Sequence, residues 1–177
     1  MDKSTVSILE FSAERNRDYT KRVQKLTQFC NSHAEQLSSL IPIANSYKEE
    51  MSRLDPVIQE FTKKICPYCG TVCCRQKFGL PNGEDIVTFW ALGITPPEYD
   101  RFRDLNGPCQ YLTSNGCHLP RINRPFRCTW YFCEAITVQI EISPPKVCNN
   151  FIDRLKALIQ TRQVLINTFR ELVEYKS

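Results

Sequence analysis

Eight cysteines in the central part of the chain are the residues whose type and spacing point most directly to chemistry. The first four are Cys66, Cys69, Cys73 and Cys74. Cys66-Pro-Tyr-Cys69 has the two-residue spacing that lets both sulfurs of one turn bind a single metal ion. Gly70 follows the second cysteine, where such turns often need a positive φ. This segment is therefore predicted to form one side of a metal site.

The other four cysteines are spread over the residues that follow. Cys109 and Cys117 flank Asn115-Gly116. Asparagine followed by glycine is a strong tight-turn signal, so a reversal of the chain is expected to bring these two cysteines together. Cys128 and Cys133 complete the set. All eight cysteines are predicted to be metal ligands.

The metal itself is left open by these ligands. Cysteine sulfur suits both a zinc ion and an iron–sulfur cluster. Adjacent Cys73 and Cys74 cannot easily serve one tetrahedral ion together, which indicates two sites or a multinuclear cluster. A thiol–disulfide role for Cys66 and Cys69 is a weaker alternative, because no βαβ pattern surrounds them.

The composition favours metal over disulfides. Of the 177 residues 42% are hydrophobic, which is typical of a globular protein. No apolar run is long enough to span a bilayer, and the first residues do not resemble a secretion signal. We therefore expect a cytoplasmic protein, in which thiols stay reduced unless a metal holds them. The net charge of +4 is spread along the chain, so no nucleic-acid partner and no membrane contact are expected.

A metal bound by thiolates needs positive charge nearby. A zinc ion or an oxidised four-iron cluster with four thiolates carries a net charge of about −2. Arg121, Arg124 and Arg127 lie between Cys117 and Cys128 and are the candidates for this compensation. Arg124 fits a solvated surface position as well as a structural or sulfur-facing one.

Four further residues have simpler interpretations. Cys30 and His33 lie on a helical stripe, so both are predicted to be packing residues. Cys148 directly precedes a predicted helix and is expected to be structural, with a role as a spare ligand left open. His118 follows Cys117 and is a weaker ligand candidate.

The chain is predicted to be one mainly α domain over residues 1–177. A helical N-terminal region (1–64) and a C-terminal helical region (149–177) are expected to pack around a turn-rich cysteine centre (65–148). That central region contains nine of the eleven prolines and all six glycines, which indicates turns and short elements. The terminal helices have apolar stripes that are expected to cover each other, or to contact a protein partner or a second copy of the chain.

Local signals predict the elements in more detail. A helix from Tyr19 to Leu40 is expected to be interrupted at Pro42, and Asp55-Pro56 to open a short new turn. Short helices are expected at 84–92 and 95–102. Alternating Val138, Ile140 and Ile142 indicate a short strand. Asn149 or Asn150 is the expected cap of the last helix.

The central segment resembles the YkgJ-type cysteine-cluster family, which is described as chelating zinc or iron through eight shared cysteines. The resemblance spans residues 66–133. The shared pattern is C-x-x-C, then C-C, then C-x-x-L-x-x-x-G-C, then R-P-x-x-C and a last cysteine five residues on. The matching residues are Cys66, Cys69, Cys73, Cys74, Cys109, Leu112, Gly116, Cys117, Arg124, Pro125, Cys128 and Cys133.

Two features depart from the family pattern. Three residues separate Cys69 from Cys73, where the family has two. The family usually has arginine directly after the cysteine that follows Arg-Pro, whereas this chain has Thr129 there and Arg127 before Cys128. A similar cysteine region in flagellin lysine methylase is linked to an iron–sulfur cluster, which keeps iron open here.

The sequence predicts a metal-binding protein with zinc or an iron–sulfur cluster and a redox or modification-related role that it does not define. The alternative is a zinc-stabilised interaction module without catalysis. No glycine-rich nucleotide loop, nucleophile elbow or H-E-x-x-H motif occurs, so the residues give no basis for assigning a catalytic group.

Overall fold

A computed structural model describes Leu9 and residues 19–69, 73–100 and 102–174. The fold is mainly α, with a turn-rich cysteine centre, as predicted. The described residues form the helices α1 (Tyr19–Ser32), α2 (Leu40–Ile65), α3 (Gly83–Ala91), α4 (Arg127–Trp130), α5 (Glu134–Glu141) and α6 (Pro145–Glu174). Strands β1 (Leu112–Thr113) and β2 (Gly116–Cys117) make an antiparallel hairpin. Within these residues no helix is long and apolar enough to cross a membrane.

Helices α2 and α6 form a long antiparallel pair that carries two hydrophobic clusters. The first cluster joins the start of α2 to the end of α6, through residues such as Leu40 and Phe169. The second joins the end of α2 to the start of α6, where the Phe61 and Phe151 rings meet edge to face at 6.1 Å. The cysteine centre lies next to this second cluster, at the end where α2 finishes.

The terminal helices pack on each other, as their stripes predicted. Leu26 and Cys30 of α1 are fully buried in the first cluster together with Leu165 and Phe169 of α6. Burial raises the pKa of Cys30 to about 12, so this thiol stays neutral and behaves as a small apolar side chain. Because the stripes cover each other within one chain, they do not require a partner.

The N-terminal helical region differs from the sequence prediction at both prolines. The break after α1 lies at residues 33–39, and Pro42 sits in the first turn of α2. Asp55-Pro56 does not open a new element, because α2 continues through Pro56. Leu54 and Ile58 on either side of Pro56 are buried, so packing of this face outweighs the backbone hydrogen bond that proline removes.

Two further short elements were predicted wrongly. Residues 94–100 form no helix; instead the Glu98 carbonyl accepts hydrogen bonds from Gln110 Nε2 and from the Tyr111 hydroxyl. The predicted strand around Val138 is helix α5. Ile136 and Ile140, four residues apart, are buried, whereas Val138 is exposed. Helical burial therefore explains the apolar pattern that looked like a strand.

The last helix starts earlier than predicted, with Pro145 at its first position, so neither Asn149 nor Asn150 is its cap. Proline suits this position because its missing N–H would have no partner in the first turn.

Helix α3 confirms the prediction for residues 84–92 and begins with a capping box. The Asn82 side chain accepts a hydrogen bond from Asp85 N at 2.9 Å, and the Asp85 carboxylate accepts one from Asn82 N at 3.0 Å. We expect Asn82→Ala to lower the free energy of unfolding by about 1 kcal/mol. Ser39→Ala is the matched control, because Ser39 caps α2 without any side-chain hydrogen bond. Urea unfolding of both variants tests this, and an equal cost for the two would contradict the role of the box.

Candidate metal centre

A cavity of about 170 Å³ lies where α2 ends and is lined by seven of the eight predicted ligands. Its walls come from the end of α2, the 3₁₀ turn Gln76–Phe78, the β-hairpin, helix α4 and the start of α5. The seven cysteines are Cys66, Cys73, Cys74, Cys109, Cys117, Cys128 and Cys133. The structure thus brings together cysteines that are up to 67 positions apart in the sequence.

Cys66 and Cys133 are placed by the helices that pack in the second hydrophobic cluster. Cys66 follows Ile65, the last residue of α2, and Cys133 caps the start of α5. Both cysteines pack against the same cluster. Cys69 does not line the cavity, but its N–H bonds to the Cys66 carbonyl at 3.3 Å, so it lies one turn from Cys66. The expected positive φ of Gly70 falls on residues 70–72, outside the described residues.

Cys74 and Cys109 are joined through their backbones. Cys109 N donates to the Cys74 carbonyl at 2.9 Å, and the neighbouring residues Arg75 and Pro108 form an antiparallel bridge. Buried Gln76 locks the pair in register, because Gln76 Oε1 accepts from Gln110 N and Gln76 Nε2 donates to Gln110 Oε1. Two distant parts of the chain are thereby fixed side by side.

The β-hairpin brings Cys117 back towards Cys109, as the Asn-Gly signal predicted. Leu112 pairs with Cys117 across the hairpin, and Leu112 N donates to the Cys109 carbonyl at 3.0 Å. Gly116 has a φ of 97°, a value that side chains other than glycine rarely adopt.

Gly79 is a site residue that the sequence analysis missed. A Cβ atom added at Gly79 would lie 2.5 Å from the Cys109 sulfur, which is closer than any real contact. Glycine is therefore needed for the Cys109 thiol to occupy its place in the cavity. This requirement comes from a contact between distant parts of the chain, so the sequence does not reveal it. The only local hint is that Gly79 directly follows the turn after Cys74.

Arg121 and Arg124 both donate hydrogen bonds to backbone carbonyls of predicted ligand residues. Arg121 is 4% exposed, pairs with Asp55 of α2 and donates from Nη1 to the Cys128 carbonyl at 3.2 Å. Arg124 donates to the carbonyls of Leu119 at 2.8 Å and of Cys117 at 3.3 Å. Of the interpretations open for Arg124, the structure favours the structural one.

Arg127 faces the cavity from within a group of aromatic rings. Its guanidinium carbon lies 4.1 Å from the centre of the Phe78 ring and 4.9 Å from that of Tyr131. Thr129, which stands where the resembling family has arginine, is fully buried away from this cavity lining. In this segment the positive charge is thus supplied by Arg127, before Cys128, and not by the residue after Cys128.

The charged side chains that line the cavity are all basic. They are Lys63, Arg75, Arg121, Arg124 and Arg127, and no aspartate or glutamate is among the described lining residues. An all-cationic lining around several thiols favours negative charge in the cavity.

The thiols interact with one another. The Cys73 and Cys74 thiols are hydrogen-bonded, which raises the pKa of Cys73 and lowers that of Cys74. Burial raises the pKa of Cys128 to about 12, and the neighbouring Cys117 and Cys109 thiols add to this rise. Without a metal, the Cys128 thiol is therefore protonated at neutral pH.

The side-chain positions limit the other candidates. Cys148 packs against the second hydrophobic cluster and does not line the cavity, which agrees with a structural residue. His118 is exposed and stacks edge to face on Tyr111 at 5.6 Å. His33 bonds through Nδ1 to the Phe29 carbonyl, as a packing histidine does.

Over the described part of the chain, no group of three or more histidine, cysteine, aspartate or glutamate side chains is already arranged to hold a metal ion. The donor chemistry fits zinc or iron, whereas the thiols would have to move closer together to bind either. Comparison with family models, with curated proteins and with solved structures finds no match for this chain. The likeness to the YkgJ-type family therefore stays a prediction from the motif.

Proposed function

We propose that this protein binds metal through its eight central cysteines and holds zinc or an iron–sulfur cluster. The observation that carries the proposal is the cavity, whose lining combines seven thiols with five basic and no acidic side chains among the described residues. Thiolates are the preferred ligands of both metals, and the basic residues offset the negative charge that such a centre carries.

The half-open arrangement of the thiols fits a site that closes when metal binds. Metal binding to thiols commonly supplies folding free energy and releases protons, because the ligands bind as thiolates. Here the helices α2 and α5 fix Cys66 and Cys133, while the hairpin carries Cys117 on a short turn.

Two functional classes fit this centre. A bound iron–sulfur cluster would supply electron transfer for a redox or modifying role, whereas a zinc ion would stabilise the fold of an interaction module. The second class is favoured by apolar side chains that face solvent on α5, directly after it and on α6, where Val138 is 44%, Ile142 is 69% and Ile159 is 41% exposed.

Metal analysis of protein purified without oxygen, together with its absorption spectrum, tests the proposal. A brown protein with iron, sulfide and broad visible absorption identifies an iron–sulfur cluster. A colourless protein with zinc favours the interaction module. Protein that holds neither metal, also after reconstitution with each, would refute metal binding.

Gly79→Ala gives a test within the cavity. The added methyl group collides with the Cys109 sulfur, so the variant is expected to retain clearly less metal per folded chain than the wild type. Gly107→Ala is the matched control, because the three atoms nearest to a Cβ there all belong to Asp104 and lie 3.2 Å or more away. Equal metal content in the two variants, measured by elemental analysis, would show that the Cys109 thiol is not a ligand.

A further inference from the structure

We infer that the eight cysteines divide into two metal sites of four thiols each. The first site consists of Cys66, Cys69, Cys73 and Cys133, and the second of Cys74, Cys109, Cys117 and Cys128. This inference rests on the proposed metal binding and adds which thiols act together.

The first set is gathered where α2 ends and α5 begins. Cys66 and Cys133 pack against the same hydrophobic cluster, and the turn after α2 returns Cys69 to Cys66. Cys73 lines the same cavity as Cys66 and Cys133. Cys73 is assigned to this set because its neighbour Cys74 is bonded through its backbone to Cys109.

The second set is brought together by backbone pairing between distant segments of the chain. The Cys109 N–H bonds to the Cys74 carbonyl, and the hairpin returns Cys117 to the segment that follows Cys109. Cys128 reaches the same place through α4, where its sulfur lies 3.8 Å from the Phe78 carbonyl. Cys128 lines the cavity together with Cys74, Cys109 and Cys117.

The two sets meet at the peptide between Cys73 and Cys74, which are adjacent in the chain and both line the cavity. Zinc sites and four-iron clusters each take four protein thiolates, so eight cysteines suffice for two complete centres. Adjacent cysteines cannot easily bind one tetrahedral ion together. This difficulty does not arise here, because Cys73 and Cys74 belong to different sets. Seven of the eight thiols line one cavity and Cys69 lies one turn from Cys66, so the two centres lie side by side.

The test is the amount of Co(II) bound per folded chain in the 177-residue protein, loaded without oxygen, in single and double variants. Cys69→Ser and Cys117→Ser should each retain about half of the wild-type cobalt. The double variant within one set, Cys69→Ser with Cys133→Ser, should also retain about half. The double variant across the sets, Cys69→Ser with Cys117→Ser, should retain none, and the control Cys148→Ser should match the wild type.

Equal cobalt loss in the two double variants would overturn the division into two sites while leaving metal binding intact. A wild-type chain that takes up no cobalt, zinc or iron would instead refute the proposed function. If a serine variant does not fold, the wild type gives the answer through stepwise removal of cobalt by a chelator, followed by alkylation of the freed thiols. The first thiols to be alkylated should all belong to one set, and a mixture from both sets would contradict the division.

Discussion

Replacing Arg162 with methionine is expected to lower the free energy of unfolding by about 3–5 kcal/mol, as is typical when one partner of a buried ion pair is removed. Arg162 is 9% exposed, and its Nη1 and Nη2 lie 2.8 Å from Glu84 Oε2 and 3.2 Å from Asp85 Oδ1. Without Arg162 the buried Asp85 carboxylate loses its only charged partner among the described residues. Methionine keeps much of the apolar stem, so the loss is mainly electrostatic.

This network also connects the long helix α6 to the cysteine centre. Asp85 Oδ1 accepts a hydrogen bond from Phe126 N at 3.0 Å, two residues before Cys128, and the Arg162 guanidinium lies 4.4 Å from the centre of the Phe126 ring. Burial raises the pKa of Asp85, while Arg162 and the Asn82 and Phe126 N–H groups oppose this rise. Arg162→Met should therefore loosen the Cys128 segment as well as the helices.

Urea unfolding of Arg162→Met and of a surface control measures the effect. Arg53→Met is the matched control, because Arg53 pairs with Glu49 and Glu50 in an exposed i,i+4 and i,i+3 arrangement. Exposed pairs of this kind contribute about 0–1 kcal/mol. Similar costs for the two variants would show that the Arg162 network does not stabilise the fold.

If the protein holds the proposed metal, its removal is expected to have the largest effect, and a local one. Structural metal in small cysteine sites is worth about 10–16 kcal/mol of folding free energy, so its loss should raise amide hydrogen exchange across residues 66–69, 73–78 and 105–133. Helix α3 lies between these segments but should stay protected, because Ile86 and Val87 are fully buried in the first hydrophobic cluster. The terminal helices should also keep their protection.

Hydrogen exchange followed by mass spectrometry measures this pattern. The same protein is compared before chelation, after chelation and after metal is restored. Protection that returns with the metal identifies the metal as its cause. Unchanged exchange over the cysteine segments, in protein verified to be metal-free, would show that hydrophobic burial alone holds the centre.

The long elements could be predicted from the sequence because their periodic stripes are also their buried faces. Leu26, Cys30, Leu165 and Phe169 all lie where the stripes place them. Pro56 was misread because proline is a local signal, and the packing of α2 against α6 outweighs it. Residues 138–142 were misread because their alternating apolar residues fit a strand, whereas helix α5 buries Ile140 together with Ile136, four residues before it.

At the candidate site, seven of the eight predicted cysteines line one cavity, but their spacing did not predict what holds them there. The roles of Gly79, Gln76 and Arg121 depend on contacts between segments that are 30 to 66 residues apart, and no local pattern carries that information. Arg127 was singled out by its position before Cys128, yet its placement among Phe78 and Tyr131 follows only from the fold.

The most direct measurement for the central claim is the metal content per folded chain of three proteins, purified in parallel without oxygen. They are the wild type, Cys128→Ser and Cys30→Ser. Cys128 lines the cavity, whereas Cys30 is buried in the first hydrophobic cluster. We expect bound zinc or iron in the wild type, a clear loss in Cys128→Ser and an unchanged content in Cys30→Ser. A metal-free wild type, or equal metal in all three proteins, would contradict the central claim.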